Sequence, residues 1–360
     1  VKIALAGGGT GGHLIPGLSV AQAAARSRPS EVWFLHGGSP VEERLLASTS
    51  FRRTRLPSTR LPRGLPGVPG FTLRALVALW RSLRVLHEFR PDAVVGLGGH
   101  VSVFPALAAR LLGLPLYVLE QNVCPGKANA LLARLAEAAL VHFPETVDRM
   151  PAARLTGTPL REGLLRCSVD EAAGRLSLDP ARPTLLVTGG SLGASALNRF
   201  VLAHAPLLEE LLPGAQVIHL TGDRDLARAV DVWRASGVRH CVASFLEDMS
   251  PAYRLASLVL ARAGGTTVAE LTAFGLPSVL VPYPHHRDGH QRENARALAA
   301  AGGARVVEES ALDEAAFRAT VELLGDAPAR ERMARASAGL GRPDAADRVV
   351  GFLERTAEGR

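Results

Sequence analysis

One local pattern recurs along this chain and restricts the folds open to it. A run of apolar β-formers ends in a glycine pair or triplet, and a helix-forming segment follows at once. It occurs at LAGGGTGGHLIPG from Leu5, at GLGGHVSVFPALAA from Gly96 and at VTGGSLGASALN from Val187. A buried strand feeding a helix through glycines is the opening of a βαβ unit, which demands a parallel sheet covered on both faces. The first and third copies lie roughly 180 residues apart, so each opens one half of the chain. Further β-rich runs at Val32–His36, Ala93–Gly96, Leu116–Leu119, Gln216–Thr221, Val238–Ala243, Leu258–Ala261 and Ser278–Val281 alternate with helical patterns. Helices are expected at Leu18–Ala25, Leu73–Glu88, Val103–Leu112, Ala194–Ala203, Thr266–Ala273 and Gln291–Ala301. At 360 residues the chain exceeds one ordinary core and suits two. The reading is an α/β protein of two similar halves, hinged in the polar, proline-containing stretch Leu155–Arg182.

A glycine turn running into a helix presents free backbone N–H groups and the positive end of the helix dipole, a setting for phosphate or diphosphate. Gly7, Gly9 and Gly12 satisfy G-x-G-x-x-G, a weak signal alone. A dinucleotide would need a carboxylate at the end of the second strand, but that strand runs into His36-Gly37-Gly38. Tight strand–helix packing without a ligand explains any single loop, and explains three less well. His13 follows the first loop; it is either a capping or packed histidine or a general base beside a phosphate site. In the second half, Ala261–Glu270 repeats the strand–glycine–helix unit. There Glu270 can accept from both hydroxyls of a ribose while the helix start faces phosphate, and Arg262 supplies a cation. The alternative is a solvated glutamate and a surface arginine. The cluster His285, His286, Asp288 and His290 matches no zinc template, so no metal is expected. Gln291 and Asn294 suit sugar hydroxyls as neutral donors and acceptors.

Charge adds a partner. The chain carries a formal +7, yet Phe51–Arg90 holds nine arginines and one acid, Glu88, so this window alone is +8 and the remainder −1. A localised anionic partner is implied, either a membrane surface or a nucleic acid. Within the window Leu73, Leu76, Val77, Trp80 and Leu83 recur at helical spacing beside Arg74, Arg81 and Arg84. That suits an amphipathic helix on an anionic bilayer or an ordinary core-facing helix with a basic outer side. The aromatics Phe51, Phe71, Trp80 and Phe89 lack the interleaving of a base-stacking platform, which argues against nucleic acid. Cys124, Cys167 and Cys241 form no paired spacing, excluding a disulfide scaffold. The chain opens on a strand-like run with no signal-like segment, and Val101–Leu119 is too interrupted to span a bilayer.

GGGTGGH at Gly7–His13, EQN at Glu120–Asn122, GGSLGA at Gly189–Ala194, RAGGTTVAE at Arg262–Glu270 and HQRENA at His290–Ala295 stand in an order and spacing that resembles the MurG family. These bacterial enzymes move N-acetylglucosamine from UDP-N-acetylglucosamine onto lipid I to make lipid II. The resemblance covers nearly the whole chain. It implies a GT-B fold, with two Rossmann-like domains facing across a cleft: residues 1–157 for the acceptor and membrane docking, 158–341 for the UDP-sugar donor, and a last helix at about 342–360 crossing back to the first. It implies inverting, metal-independent transfer without a cofactor, at the cytoplasmic face of the inner membrane as a peripheral protein. His13 would be the base, with Glu120 second. Gly8, Gly9, Gly98, Gly99, His100 and Asn129 would hold the lipid-linked acceptor. Thr10, Gly11, Gly12, Asn122 and Arg161 would meet the donor from the first half. In the second half Ser191, Phe245, Leu246, Arg262, Gly265, Thr266, Glu270, His290, Gln291 and Asn294 would bind it, with Phe245–Leu246 on the uracil and Glu270 on the ribose. The chain departs from the family at Leu119, His100, Leu192 and Gly157–Arg161.

Overall fold

The computed structural model describes residues 1–8, 11–57, 59, 67–190, 193–285 and 289–358. The chain divides into two compact units, Val1–Glu162 with Pro343–Arg360, and Gly163–Arg342.

The first unit runs β1 (Lys2–Gly7), α1 (Gly11–Ser27), β2 (Glu31–His36), α2 (Pro40–Ala47), β3 (Arg52–Arg55), α3 (Val68–Phe89), β4 (Ala93–Gly98), α4 (Val103–Leu111), β5 (Leu116–Glu120), α5 (Lys127–Leu132), β6 (Ala138–Val141), α6 (Pro144–Val147) and β7 (Ala153–Leu155). Its parallel sheet has the order β3-β2-β1-β4-β5-β6-β7. Every residue of β4, β5 and β6 is buried, as a parallel strand covered on both faces requires, so these strands read as apolar runs, broken only by Glu120 at the end of β5. Two cores flank the sheet. Ile3, Leu5, Phe34 and Val95 point to one, and Ala4, Leu35, Val94 and Val118 to the other. This is the period-2 alternation of a strand. The start of the arginine-rich window supplies the edge strand β3, where its exposed cations oppose pairing with another chain.

In α1, Pro16 has no N–H for the Gly12 carbonyl; Gln121 Nε2 donates to that carbonyl instead, at 3.5 Å.

The second unit runs α7 (Val169–Leu176), β8 (Thr184–Thr188), α8 (Ser195–Ala203), α9 (Ala205–Leu211), β9 (Gln216–Leu220), α10 (Leu226–Ser236), β10 (Arg239–Ala243), α11 (Ser250–Leu255), β11 (Leu258–Ala261), α12 (Gly265–Phe274), β12 (Ser278–Leu280), α13 (His290–Ala300), β13 (Ala304–Val306), α14 (Glu314–Gly325) and α15 (Ala327–Leu340). Its parallel sheet is ordered β10-β9-β8-β11-β12-β13. Counted from its own first strand, this repeats the order of the first unit. In each the strand order reverses beside the opening strand, and such a reversal leaves a crevice at the carboxyl ends where ligands bind.

The closing helix α16 (Ala345–Glu358) belongs to the first unit. Val349, Val350 and Leu353 are buried in the same core as β1 and β4, each worth about 1.5–3 kcal/mol. Tyr117 Oη shares a hydrogen bond of 2.6 Å with Thr356 Oγ1, and Arg28 Nε donates to Glu354 at 2.8 Å. That bond from Arg28 is the main reason the Glu354 carboxyl is held below its ordinary range.

Candidate functional site

In the second unit the reversal falls between β8 and β11, and their carboxyl ends open into a concavity of about 600 Å³. Its floor is the glycine loop after β8. Gly193 has φ +72° and a β-carbon there would collide with the Thr221 carbonyl, so only glycine lets the loop pass. The loop is braced from below by a hydrogen-bond chain whose sense is fixed. Trp233 Nε1–H donates to His219 Nδ1 at 3.0 Å, so His219 Nε2 carries the proton and donates to Asn198 Oδ1 at 3.0 Å. Asn198 Nδ2 then donates to the Thr221 carbonyl and to Asp225 Oδ2, both at 2.7 Å, and Ser195 Oγ donates to the same carboxylate at 2.9 Å. Burial pushes the His219 pKa down to about 4, which keeps the imidazole neutral and the chain intact near pH 7. Burial opposes ionisation of Asp225, but the donors from Asn198 and Ser195, with Arg224 and Arg199 nearby, outweigh it and hold the carboxyl low.

Three arginines line this concavity: Arg199, Arg224 and Arg262. Arg262 is buried; its Nη1 donates to the carbonyls of Val281 and Pro282 at 3.1 and 3.2 Å, and its Nη2 pairs with Glu309. Arg199 and Arg224 are exposed, and among the described residues neither makes an ion pair. The unspent positive charge therefore lies on α8 and on the turn after β9, beside the glycine loop.

In the first unit the reversal falls between β1 and β4, and their loops touch, with Gly8 N donating to the Gly98 carbonyl at 3.4 Å. The His13 ring is seated on Gly98 (φ +104°): a β-carbon there would lie 2.9 Å from His13 Nε2 and 3.3 Å from Asn129 Nδ2. Asn129 belongs to a buried network around Glu120, which is 2% exposed. Asn122 N and Nδ2 donate to one carboxylate oxygen at 3.0 and 2.9 Å, Gly126 N and Asn129 Nδ2 to the other, both at 2.9 Å. A second buried carboxylate, Glu42, lies directly behind Gly8 and accepts from Ser39 N at 2.6 Å and Gly37 N at 3.3 Å.

The family model described as "Glycosyltransferase family 28 N-terminal domain" matches residues 3–141, and that described as the C-terminal domain matches residues 184–349. Among relatives, the "UDP-N-acetylglucosamine--N-acetylmuramyl-(pentapeptide) pyrophosphoryl-undecaprenol N-acetylglucosamine transferase" of Nitratidesulfovibrio vulgaris is 38% identical, with 100% of this chain and 98% of the relative covered. The Geobacter metallireducens protein of the same name is 38% identical, with 97% of each covered. The chain belongs to the MurG branch of glycosyltransferase family 28. The crystal structure of Acinetobacter baumannii MurG aligns at a TM-score of 0.79 and 28% identity, covering 98% of this chain and 99% of that one. Family 28 thus accounts for both Rossmann-like units, and this MurG-family chain is a transferase.

Against that family background, the expected donor residues divide. Arg262, Gln291 and the loop at Gly264 line the concavity, and Gln291 Oε1 accepts from Tyr283 N at 2.9 Å. Asn294 is fully buried and donates to the Ala263 carbonyl at 3.1 Å, so it braces the turn into α12. Gly265 and Thr266 open α12, and Glu270, further along it, accepts from Tyr253 Oη at 2.7 Å. Phe245 is exposed and Leu246 half-buried just after β10; His290 opens α13. In the first unit, Gly8, Gly98, Gly99, His13, Glu120, Asn122 and Asn129 come together, with Gly11 and Gly12 at the start of α1 and His100 in the turn after β4. Arg161 falls at the end of the first unit. Gly9, Thr10, Ser191, Leu192, His286 and Asp288 lie outside the described residues.

Sequence reasoning did not single out Glu42, Arg199, Arg224, Asn198, His219 or Glu309. Glu42 carries a readable signal, because Ser39-Pro-Val-Glu42 is a capping box, which the structure forms at the start of α2. Arg199 stands four residues after Ser195, hence on the same helix face.

Proposed function

We propose that this chain transfers N-acetylglucosamine from UDP-N-acetylglucosamine to the C4 hydroxyl of the muramoyl sugar of lipid I, forming lipid II with inversion at the anomeric carbon. The observation that carries this reading is the concavity at the β8–β11 reversal. Its glycine loop, helix start and exposed arginines suit a nucleotide diphosphate. The hydroxyl oxygen bonds to the anomeric carbon, the bond to UDP breaks, and UDP leaves with the electron pair. His13, seated on Gly98, takes the proton. The start of α8 with Arg199 and Arg224 stabilises the charge that develops on the diphosphate, a preorganised electrostatic contribution. Arg262, spent on Glu309 and two carbonyls, fixes the wall between β11 and β12 instead. Glu270 holds the ribose, and Phe245–Leu246 the uracil.

The acceptor stays anchored in a membrane, and α3 offers a docking face. Ala78, Ser82, Val85, Leu86 and Phe89 face the core, while Leu73 (65% exposed), Leu76 (61%) and Trp80 (58%) face out among Arg74, Arg81 and Arg84. An outward apolar stripe flanked by arginines suits an anionic leaflet. Among the described residues, no helix is long and apolar enough to cross a membrane. The deciding experiment is transfer of labelled N-acetylglucosamine to a lipid I analogue, with and without EDTA. Labelled lipid II product in both arms is expected; no transfer sinks the assignment, and EDTA sensitivity sinks its metal-free part.

A further inference from the structure

Two side chains of the first unit, His13 and Glu120, stand in positions from which a general base is expected, and their surroundings differ. A carboxylate offers about four lone-pair directions. On Glu120 all four are taken by N–H groups: Asn122 N, Asn122 Nδ2, Gly126 N and Asn129 Nδ2. None is left for the proton of an attacking hydroxyl, and the side chain is 2% exposed. Asn129 has an equally determined orientation. Its two N–H bonds go to the Leu119 carbonyl at 3.0 Å and to Glu120 Oε2 at 2.9 Å. Turning the amide over would set its oxygen against both acceptors. Asn129 Oδ1 is thereby assigned, is buried, and has no hydrogen-bond partner. The same Asn129 amide and the His13 ring converge on one point beside Gly98: a β-carbon there would lie 2.9 Å from His13 Nε2 and 3.3 Å from Asn129 Nδ2.

We infer that Glu120 is a positioning residue: it takes no proton, but through Asn129 and the Asn122–Gly126 turn it fixes the seat on which the His13 imidazole stands. This rests on the transfer reaction proposed above. Without the carboxylate, Asn129 loses the partner that fixes its amide plane, and the imidazole loses a wall of its seat. A misplacement on the order of 1 Å can lower turnover by about 100-fold.

The test compares wild type, E120Q, N129A and the double variant E120Q/N129A in the transfer assay across pH 5 to 9, each checked for cooperative melting. Wild-type turnover in that assay establishes the reaction itself, so its absence counts against the function and not against this role. E120Q is expected to lower kcat by about 10- to 100-fold. The donor KM should stay unchanged, and the fall in rate on the acid side should remain, because His13 still sets it. The double variant is expected to lose no more than the worse single variant, since both act through one seat. Loss of the acid-side fall in E120Q, or single losses that multiply in the double variant, would overturn the inference. If E120Q fails to fold, N129A decides alone: a lower kcat at constant donor KM with the acid-side fall intact supports the role, and unchanged kcat removes it.

Discussion

The two crevices share a backbone plan, a strand–glycine–helix unit at a reversal of strand order, and differ in the charge placed behind it. In the first unit two buried carboxylates, Glu42 and Glu120, stand behind the glycines with a histidine between the loops. In the second unit the loop opens on arginines, and the acid beside them, Asp225, is occupied by Asn198 and Ser195. One geometry therefore serves two chemistries. Arginines beside the start of a helix favour the developing negative charge of a leaving diphosphate. An imidazole seated on the glycine loop favours handling a hydroxyl proton. The fold supplies the crevice, and the residues just past the strand ends decide what it does.

The largest expected effect probes the first crevice. His13→Ala is expected to lower kcat about 10²- to 10⁴-fold, the range for loss of a general base, while donor KM changes little. Steady-state kinetics with a lipid I analogue measures both. Unchanged turnover would remove His13 from the mechanism and erase the proposed division of labour.

The next effect belongs to the second unit and to pH. His219 has its pKa depressed from 6.5 to about 4 by burial. The unfolded chain therefore binds its proton at higher pH than the folded chain does. The stability it contributes is fully present above pH 6.5 and is lost as pH falls through that window toward 4. At about 1.4 kcal/mol per pH unit, the loss approaches about 3 kcal/mol. Urea unfolding of wild type and His219→Gln at pH 7 and pH 4 measures it. The wild type should lose more stability than the variant by about that amount, and equal losses would show that His219 is not held neutral by its burial.

How much of this was legible beforehand follows the physics of each signal. Both central strand–glycine–helix units, and the strand at Leu258–Ala261, were readable because a buried parallel strand is an apolar run with glycines close after its end. The edge strands β3 and β7 were not: RRTR and ARL carry no alternation and pair along one side only. His13 and the α12 loop were identifiable from their place beside glycine turns, whereas Glu120 was reached only through the EQN match to the MurG family. The network from Trp233 to Asp225 was not, since a hydrogen-bond chain among residues 195, 198, 219, 225 and 233 leaves no spacing in the sequence. Nor did the sequence show that Arg262 would be spent on Glu309, 47 residues away. On α3 the helical period was plain, but which face it buries required the fold: Val85 and Phe89 turn inward, and Trp80 does not.

The smallest expected effect tests whether the arginines carry the difference between the crevices. Exposed cations are screened, and each is worth about 1 kcal/mol or less at moderate ionic strength. Arg199→Gln and Arg224→Gln are each expected to raise donor KM about three- to fivefold, corresponding to roughly 1 kcal/mol. The pair acts on one diphosphate, so the double variant should approach the product of the two. Because the attraction is Coulombic, wild-type donor KM should rise with salt, and the double variant should lose most of that dependence. Arg262 makes the contrast sharp. Its guanidinium already satisfies Glu309 and two carbonyls, so Arg262→Gln should act mainly on the melting temperature, through a half-buried Glu309 and two buried carbonyls left unpaired. If instead Arg262→Gln abolishes the salt dependence and the exposed pair does not, the positive charge of this crevice sits at the end of β11, and the contrast with the first unit rests on one buried arginine.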